Sequence, residues 1–323
     1  MRSRLSLLAD PMIAVLIGAT LLAVFYPAIG EARASAQTVS NVGIFVLFLV
    51  NGLRIARAEI ARGLANWRFF APLFIWVFGA MSLAGLGLSQ IAGSVLPPLV
   101  ALGFLFLGTL PSTIQSATSY TSLAGGNTAL SVVGAALINI AGVFVTAPLF
   151  AVLGGGNAAD IGFETITRIG LILILPFVLG QALQGWAIDW LKARKAQVAW
   201  IDRAVIGMAV YVAFSGAVEQ GLGTMLDVFG WTMLLGLVFA FLAIGMGGAW
   251  AVGGILKLPQ FDRTAFLFAG AQKSVAIGAP LAAILFPPAV AGFVIAPLLL
   301  YHLLQLIVAA PLASFLARAA ACD

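Results

Sequence analysis

One lysine stands out among the residues that could do chemistry, because it lies inside a long apolar stretch. Lys273 follows Phe266–Gln272 and precedes Ser274–Pro280, and neither flank carries a charge. A charged side chain at membrane depth is costly and usually marks a functional site. Three states would balance it: loss of its proton, contact with helix carbonyls and amide oxygens such as those of Gln115 and Gln272, or contact with an anion that binds and leaves.

A run of hydroxyl and amide side chains is the second such feature. Residues 111–122 read Pro-Ser-Thr-Ile-Gln-Ser-Ala-Thr-Ser-Tyr-Thr-Ser. Proline removes a backbone donor, so a helix should open near Pro111, and we expect a counterpart at Gly270 in the stretch Gly270–Ser274. Freed backbone groups in a membrane must face protein or a water-filled cavity, so the breaks predict a binding site. The alternative is that these hydroxyls bond to carbonyls one turn back and only help the helix to pack.

The composition places these residues in a membrane. The 323 residues are 62% hydrophobic and 8% charged, with a mean hydropathy of +1.12, whereas soluble domains contain about 25% charged residues. Segments of roughly 20 apolar residues predict an all-α multi-pass protein with ten transmembrane helices. The predicted spans are residues 11–29, 37–53, 69–92, 96–123, 128–153, 165–187, 203–222, 229–255, 263–286 and 289–316.

The basic residues predict the orientation. With the N-terminus inside, thirteen Lys and Arg residues fall on the cytoplasmic side and only Arg33 and Arg168 fall outside. The positive-inside rule then predicts that both termini lie in the cytoplasm. We expect a multi-pass protein of the plasma (inner) membrane. The apolar run Pro11–Ile29 is longer than the core of a secretory signal, so we expect it to be retained as the first span.

Two short echoes predict an internal repeat. Phe104–Gly108 matches Phe266–Gly270 at an offset of 162, and Val145–Leu149 matches Val308–Leu312 at an offset of 163. Two repeats, 1–155 and 156–323, would each hold five spans. An odd number of crossings inverts the second copy, which is the inverted-repeat architecture of secondary transporters. Spans 4 and 9 would be the broken crossing helices.

The candidate site residues are the polar side chains near the two breaks. His302 is the only histidine, and we expect a packed, hydrogen-bonded role for it more readily than a proton relay. Catalytic residues, metal ligands and cofactors are not expected, and an enzyme is not predicted, because paired carboxylates and His clusters are missing and the one cysteine is Cys322. The predicted substrate-binding residues are Gln115, Ser116, Thr118, Gln272, Lys273 and Ser274, supported by Ser131, Asn139, His302 and Gln305.

At these residues the chain resembles the bile acid:sodium symporter family, in its SBF-like branch grouped with cation-proton antiporter-type folds. The resemblance rests on Gly125–Ser131, on Gln272–Pro280 and on Tyr301–Gln305. It implies a panel domain of spans 1, 2, 6 and 7 and a core domain of spans 3 to 5 and 8 to 10. It also implies alternating access and sodium-coupled uptake of organic anions.

The sequence departs from the family pattern at the positions that bind sodium in coupled members. Ala117-Thr118 stands for a Ser-Asn pair, Ala135 for a hydroxyl and Phe268 for a glutamate, while the glutamine of span 3 is absent, since residues 73–87 offer only Ser82 as a polar side chain. Lys273 stands where those members carry asparagine. We therefore expect the lysine to supply the charge that sodium would bring.

The resulting prediction is a secondary active transporter of small organic anions that works without sodium. The alternatives are a sodium-coupled bile-acid-type symporter, and a proton-linked ion exchanger or ion-homeostasis regulator. The expected partners are an organic anion and the lipid bilayer, with H⁺ or Na⁺ as candidate coupling ions and no nucleic acid. The sequence leaves the substrate and the oligomeric state open.

Overall fold

Helices form every regular element in the part of the chain that the computed structural model describes, namely residues 11–54, 66–155, 167, 170–221 and 226–320. The helix of residues 67–92 contains a π-helical segment at Ile75–Ala80, and the helix of residues 170–193 begins with one at Gly170–Ile174. The fourth and ninth helices in chain order are each divided into two parts, marked a and b. The helices are α1 (Pro11–Phe25), α2 (Gly30–Arg54), α3 (Trp67–Ala92), α4a (Pro98–Thr109), α4b (Ile114–Leu123), α5 (Thr128–Gly154), α6 (Gly170–Ala193), α7 (Lys195–Glu219), α8 (Val228–Ile255), α9a (Gln260–Ala271), α9b (Val275–Leu285) and α10 (Pro288–Ala320).

Most of these helices are long and apolar enough to cross a membrane. Eight spans in the described residues pass this test, counting α9a and α9b as one, and the bent pair α4a and α4b makes a ninth. α1 is apolar but has only 15 residues, which at 1.5 Å per residue is shorter than the roughly 30 Å of hydrocarbon. The chain is therefore a multi-pass membrane protein, whereas the tenth span and the inverted repeat stay predictions.

Several predicted boundaries were wrong because they followed hydropathy. α2 begins at Gly30 rather than 37, and α7 begins at Lys195 rather than 203, since helices continue through polar turns beyond the apolar stretch. α1 ends at Phe25 rather than 29, close to Pro27, which disfavours helical geometry in the residue before it. The predicted start of span 6 at 165, the end of span 7 at 222, and Cys322 lie outside the described residues.

The chain divides into two compact units. Unit 1 is Met1–Arg57, Gly156–Leu226 and Gly278–Ile295, and unit 2 is Ala58–Gly155, Asp227–Ile277 and Ala296–Asp323. Within unit 1, ion pairs join Arg33 of α2 to Glu219 of α7 and Arg54 of α2 to Asp202 of α7. The predicted panel and core domains and the two sequence repeats stay predictions.

Glycine permits close helix packing in unit 2, which contains both helix breaks. A Cβ on Gly85 of α3 would lie 2.9 Å from Gly108 Cα of α4a, and a Cβ on Gly142 of α5 would lie 2.6 Å from Pro111 Cγ. Small residues let helix backbones approach in a membrane, where apolar burial alone gives little attraction. These contacts position α4a and the chain that follows it.

Candidate functional site at two helix breaks

Helices 4 and 9 are interrupted at corresponding places. α4a and α9a each have 12 residues, and each ends in an extended residue: Leu110 with φ −74° and ψ 147°, and Gln272 with φ −72° and ψ 139°. Helical structure resumes at Ile114 and at Val275. The axes of α4a and α4b differ by 63°. Pro111 lies in the first break.

Gly270 does not mark the second break, contrary to the sequence prediction. It lies inside α9a, and the helix continues to Ala271. A Cβ at Gly270 would lie 2.8 Å from Cδ1 of Trp76, a residue of α3. The glycine is therefore explained by the close approach of an indole ring, and the extended segment is Gln272–Ser274.

The two extended segments hydrogen-bond to each other. The Ser274 N–H donates to the Pro111 carbonyl at 3.0 Å, and Thr113 Oγ1 donates to the Lys273 carbonyl at 2.8 Å. Backbone groups released from a helix must find partners inside a membrane protein, because lipid offers none. Each break thus provides a hydrogen-bond partner for a backbone group of the other break.

Lys273 is fully buried, and its ammonium faces backbone carbonyls. Nζ donates to the carbonyl oxygens of Leu110 at 2.7 Å and Gly108 at 2.8 Å, with the Val77 oxygen at 3.4 Å. No Asp or Glu among the described residues pairs with it. Gly108 and Leu110 are at the C-terminal end of α4a, where carbonyls lack helical partners and the helix dipole is negative. Helix carbonyls, one of the three predicted ways to balance this lysine, therefore surround it here.

The predicted amide partners of Lys273 are engaged elsewhere or lie apart. Gln272 Oε1 accepts a hydrogen bond from Ser116 Oγ at 3.0 Å, and Gln115 is exposed. The Gln272 Nε2 amide, fully buried, has no partner among the described residues, and neither do Ser112 Oγ and Thr118 Oγ1. Three polar atoms near the breaks are thus buried without a hydrogen-bond partner in the part of the chain that the structure describes.

α10 contributes a glutamine that binds the main chain of Lys273. Gln305 Oε1 accepts from the Lys273 N–H at 2.8 Å, and Gln305 Nε2 donates to the Lys273 carbonyl at 3.1 Å. The same Nε2 lies 2.8 Å from His302 Nδ1. The phenolic O–H of Tyr301 donates a hydrogen bond to the Ala271 carbonyl at 2.6 Å. Three neighbouring residues of α10 therefore hold the end of α9a and the break that follows.

α5 holds the first break from the other direction. Asn139 Nδ2 donates to the Ser112 carbonyl at 2.6 Å and to Ala135 at 2.8 Å. Thr146 Oγ1 donates to the Thr109 carbonyl at 3.0 Å. Ser131 contacts α4b rather than the break, since its Oγ accepts from Thr121.

Sequence reasoning found several residues that the structure brings together and missed others. Ser116, Gln272, Lys273, Ser274, Asn139, His302 and Gln305 all bond within the two breaks or to a residue that does. Thr146 and the carbonyls of Gly108, Leu110 and Val77 were missed. Thr146 carried a signal, because it is a hydroxyl within an apolar helix, whereas a carbonyl carries none, because every residue has one.

This arrangement defines a class of protein: a multi-pass membrane protein with a buried polar site at broken helices, as in secondary transporters. The chain belongs to the SBF-like CPA transporter family, whose model matches residues 10–318. The family assignment confirms the resemblance seen in the sequence. The protein is accordingly a membrane transporter.

The curated relatives agree with that assignment. An uncharacterized protein of Pseudomonas aeruginosa is 36% identical over 98% of this chain and 95% of its own length. The Escherichia coli protein named "Putative symporter YfeH" is 34% identical over 94% of this chain and 92% of its own. Sodium/bile acid cotransporter 7-B of Xenopus laevis is 25% identical over 87% of this chain and 84% of its own.

Proposed function

We propose that this protein is a secondary active transporter that moves small organic anions by alternating access and does not need sodium, because Lys273 supplies the positive charge. The observation that carries the proposal is the Lys273 ammonium on the carbonyls of Gly108 and Leu110. Backbone carbonyl oxygens at broken helices are the groups that coordinate sodium in secondary transporters. An ammonium already bonded to them takes the place of a bound cation.

The hydrogen-bond geometry favours the charged form of this lysine. An ammonium has three N–H donors, and three carbonyl oxygens lie between 2.7 and 3.4 Å of Nζ. A neutral amine has two N–H bonds and would direct its lone pair at an oxygen. In this proposal Lys273 would be a positive charge at the crossing, and it would act on an anion through its field rather than by direct contact in this conformation.

The anion would bind on the other side of the breaks, where α4b and α9b begin. Helix N-termini attract negative charge through unpaired N–H groups. The unpaired Gln272 Nε2 is a buried donor next to α9b, and Thr118 Oγ1 is an unpaired hydroxyl on α4b. Gln115, Ser116 and Ser274 complete the proposed lining. A carboxylate is the simplest group that fits this set of donors.

The competing function is sodium-coupled symport. It is favoured by the name of the Xenopus relative, which gives sodium and bile acid for that protein. The two functions differ in whether a second cation is required beside Lys273. A proton-linked exchanger is a third function and would require Lys273 to lose its proton during the cycle.

Uptake by purified protein in liposomes separates these functions. A panel of labelled organic carboxylates is offered with sodium, or with sodium replaced by an impermeant organic cation, to native protein and to Lys273→Ala. A unit charge 8 Å from a carboxylate is worth roughly 2 kcal/mol at an effective dielectric constant of 20, or about a 30-fold change in affinity. We expect sodium-independent uptake that falls at least about tenfold in Lys273→Ala.

Lys195→Ala is the matched control, because Lys195 is exposed on α7 in unit 1 and its loss changes the net charge equally. It should transport like the native protein. Thermal unfolding of each variant in detergent tests whether Lys273→Ala is folded. Uptake by the native protein that requires sodium would contradict the proposal, as would full activity of Lys273→Ala.

A further inference from the structure

Two buried side chains, His302 and Gln305, form a chain of hydrogen bonds that ends on the main chain of Lys273 at the α9 break. His302 Nδ1 contacts Gln305 Nε2 at 2.8 Å, and the Gln305 amide contacts both the N–H and the carbonyl of Lys273. His302 is 7% exposed, and Gln305 and Lys273 are fully buried. The function proposed above uses Lys273 but gives no role to the imidazole.

The Lys273 backbone fixes the orientation of the Gln305 amide. A backbone N–H can only donate and a carbonyl can only accept, so Oε1 must face the N–H and Nε2 must face the carbonyl. A flipped amide would place nitrogen against N–H and oxygen against C=O. The assignment of the two amide atoms therefore follows from their partners, although an amide alone is ambiguous.

The tautomer of His302 follows in turn. Gln305 Nε2 carries two hydrogens, one directed at the Lys273 carbonyl and the other at His302 Nδ1. Nδ1 must therefore accept, which makes the imidazole neutral with its proton on Nε2. An imidazolium would direct a second N–H at the Gln305 amino group, and two donors repel each other.

We propose that His302 is a proton-sensitive switch on the α9 break: neutral His302 holds Gln305 on the main chain of Lys273, and protonation at Nδ1 releases it. The Lys273 carbonyl would keep its bond from Thr113 Oγ1. The Lys273 N–H would lose Gln305, the acceptor it has in the neutral state. Protonation would thus loosen the segment Gln272–Ser274 without removing Lys273 from the carbonyls of α4a.

The surroundings leave His302 as the group that can perform this switch. Lys273 directs its ammonium to α4a, Tyr301 donates to the Ala271 carbonyl, and Tyr120 donates to the Leu306 carbonyl. The sequences of α4a, α4b, α5, α8 and α9b contain no Asp, Glu, Lys, Arg or His. Asp262 and Arg263 are in the first turn of α9a, about ten residues before the break, and Arg68 is in the first turn of α3.

Histidine is the side chain that ordinarily changes charge between pH 5 and 8, so the test covers that range. Because the chain has one histidine, protein labelled with ¹⁵N-histidine in detergent or nanodiscs gives one imidazole spectrum without assignment. We expect the Nε2–H tautomer at high pH and imidazolium formation as the pH falls. An Nδ1–H tautomer, or an imidazole that stays neutral throughout the range, would overturn the proposal.

The backbone amide of Lys273 reports whether protonation of His302 affects the break. ¹⁵N-lysine labelling gives four backbone amides, from Lys192, Lys195, Lys257 and Lys273, and loss of one signal in Lys273→Arg assigns the last. In native protein the Lys273 amide signal should shift, and its hydrogen exchange should accelerate at least about tenfold after correction for intrinsic rates, as His302 takes its proton. A Lys273 amide that stays unchanged while His302 titrates would overturn the coupling.

His302→Asn is the matched variant, because its Oδ1 can still accept from Gln305 but does not bind a proton in this range. It should keep the high-pH position of the Lys273 amide at every pH, whereas His302→Leu should lose it at every pH. A pH-dependent Lys273 amide in His302→Asn would refute the switch. The effect on transport rests on the proposed function, but the spectra need no substrate, so failure of anion uptake would leave this test intact.

Discussion

Replacing Gly85 with alanine is expected to separate α3 from α4a and so to displace the carbonyls that bind Lys273. A Cβ at this position would lie 2.6 Å from the Phe104 carbonyl oxygen and 2.9 Å from Gly108 Cα. Favourable separations of non-bonded carbons are about 3.5–4.0 Å, so the helices would have to move apart by roughly 0.5–1 Å. Overpacking of this kind destabilises a protein by about 1–3 kcal/mol.

Gly87 on the same helix provides the matched control. A Cβ there would meet no atom within 4 Å, and replacing a helical glycine with alanine stabilises a protein by about 0.5–1 kcal/mol. The two variants, which have the same composition, should therefore differ by about 1.5–4 kcal/mol in the free energy of unfolding, with opposite signs relative to the native protein.

Unfolding by denaturant in a fixed detergent measures the difference, and liposome uptake measures its effect on the site. Gly85→Ala should lose uptake in proportion to the displacement of the Gly108 carbonyl, whereas Gly87→Ala should transport normally. Equal stability of the two variants would refute the close approach of α3 and α4a. A destabilised Gly85→Ala protein with full uptake would refute the link between this packing and Lys273.

Two further substitutions test the partners of the first break. Thr146→Val should destabilise the protein by about 1–3 kcal/mol because it removes the hydroxyl that donates to the Thr109 carbonyl. Thr146→Ser keeps the hydroxyl and should cost less in the same unfolding assay; equal losses would show that the methyl group matters and the hydrogen bond does not. Asn139→Leu removes the donor to the Ser112 carbonyl at the break and should lower both the free energy of unfolding, by about 1–3 kcal/mol, and anion uptake. A leucine variant that is as stable and active as native protein would contradict the role of Asn139.

The sequence predicted the helices well because apolar length is a strong signal, but it predicted their ends poorly. Hydropathy stops at the first polar turn, whereas backbone hydrogen bonding continues, as it does through the first turn of α2 at Glu31 and Arg33. An ion pair joins Arg33 of this turn to Glu219 of α7. Such pairs join residues far apart in the chain, and one sequence does not show them.

The first break was easier to predict than the second for a specific reason. Proline lacks the N–H of a helical hydrogen bond and so favours an interruption, which made Pro111 a signal for the break in helix 4. It does not require one, since Pro148 and Pro297 lie inside the unbroken helices α5 and α10. Glycine has two uses, and at Gly270 the close approach of Trp76 explains it rather than an interruption. In helix 9 the break begins at Gln272, a residue type that does not by itself disfavour a helix.

The sequence pointed to Lys273 as a candidate site residue, but it did not show the partners of this lysine. A single charged residue within a long apolar stretch can be recognised in the sequence alone. Its partners are main-chain oxygens of residues 163 and 165 positions away, which any amino acid would provide. Gln305 and His302 could be selected only as polar residues on a neighbouring helix, and their order in the hydrogen-bond chain required coordinates.

The mutual bonding of the two breaks has a consequence for the synthesis of the protein. The lysine that binds the Leu110 carbonyl is added 163 residues later in synthesis. At 5–20 residues per second this delay is roughly 10–30 s. During that time the carbonyls at the end of α4a lack the lysine that helix 9 supplies. The lipid of a membrane offers no hydrogen-bond donor to replace it. Nascent chains that stop before residue 273 would therefore keep the carbonyls at the end of α4a without their lysine partner.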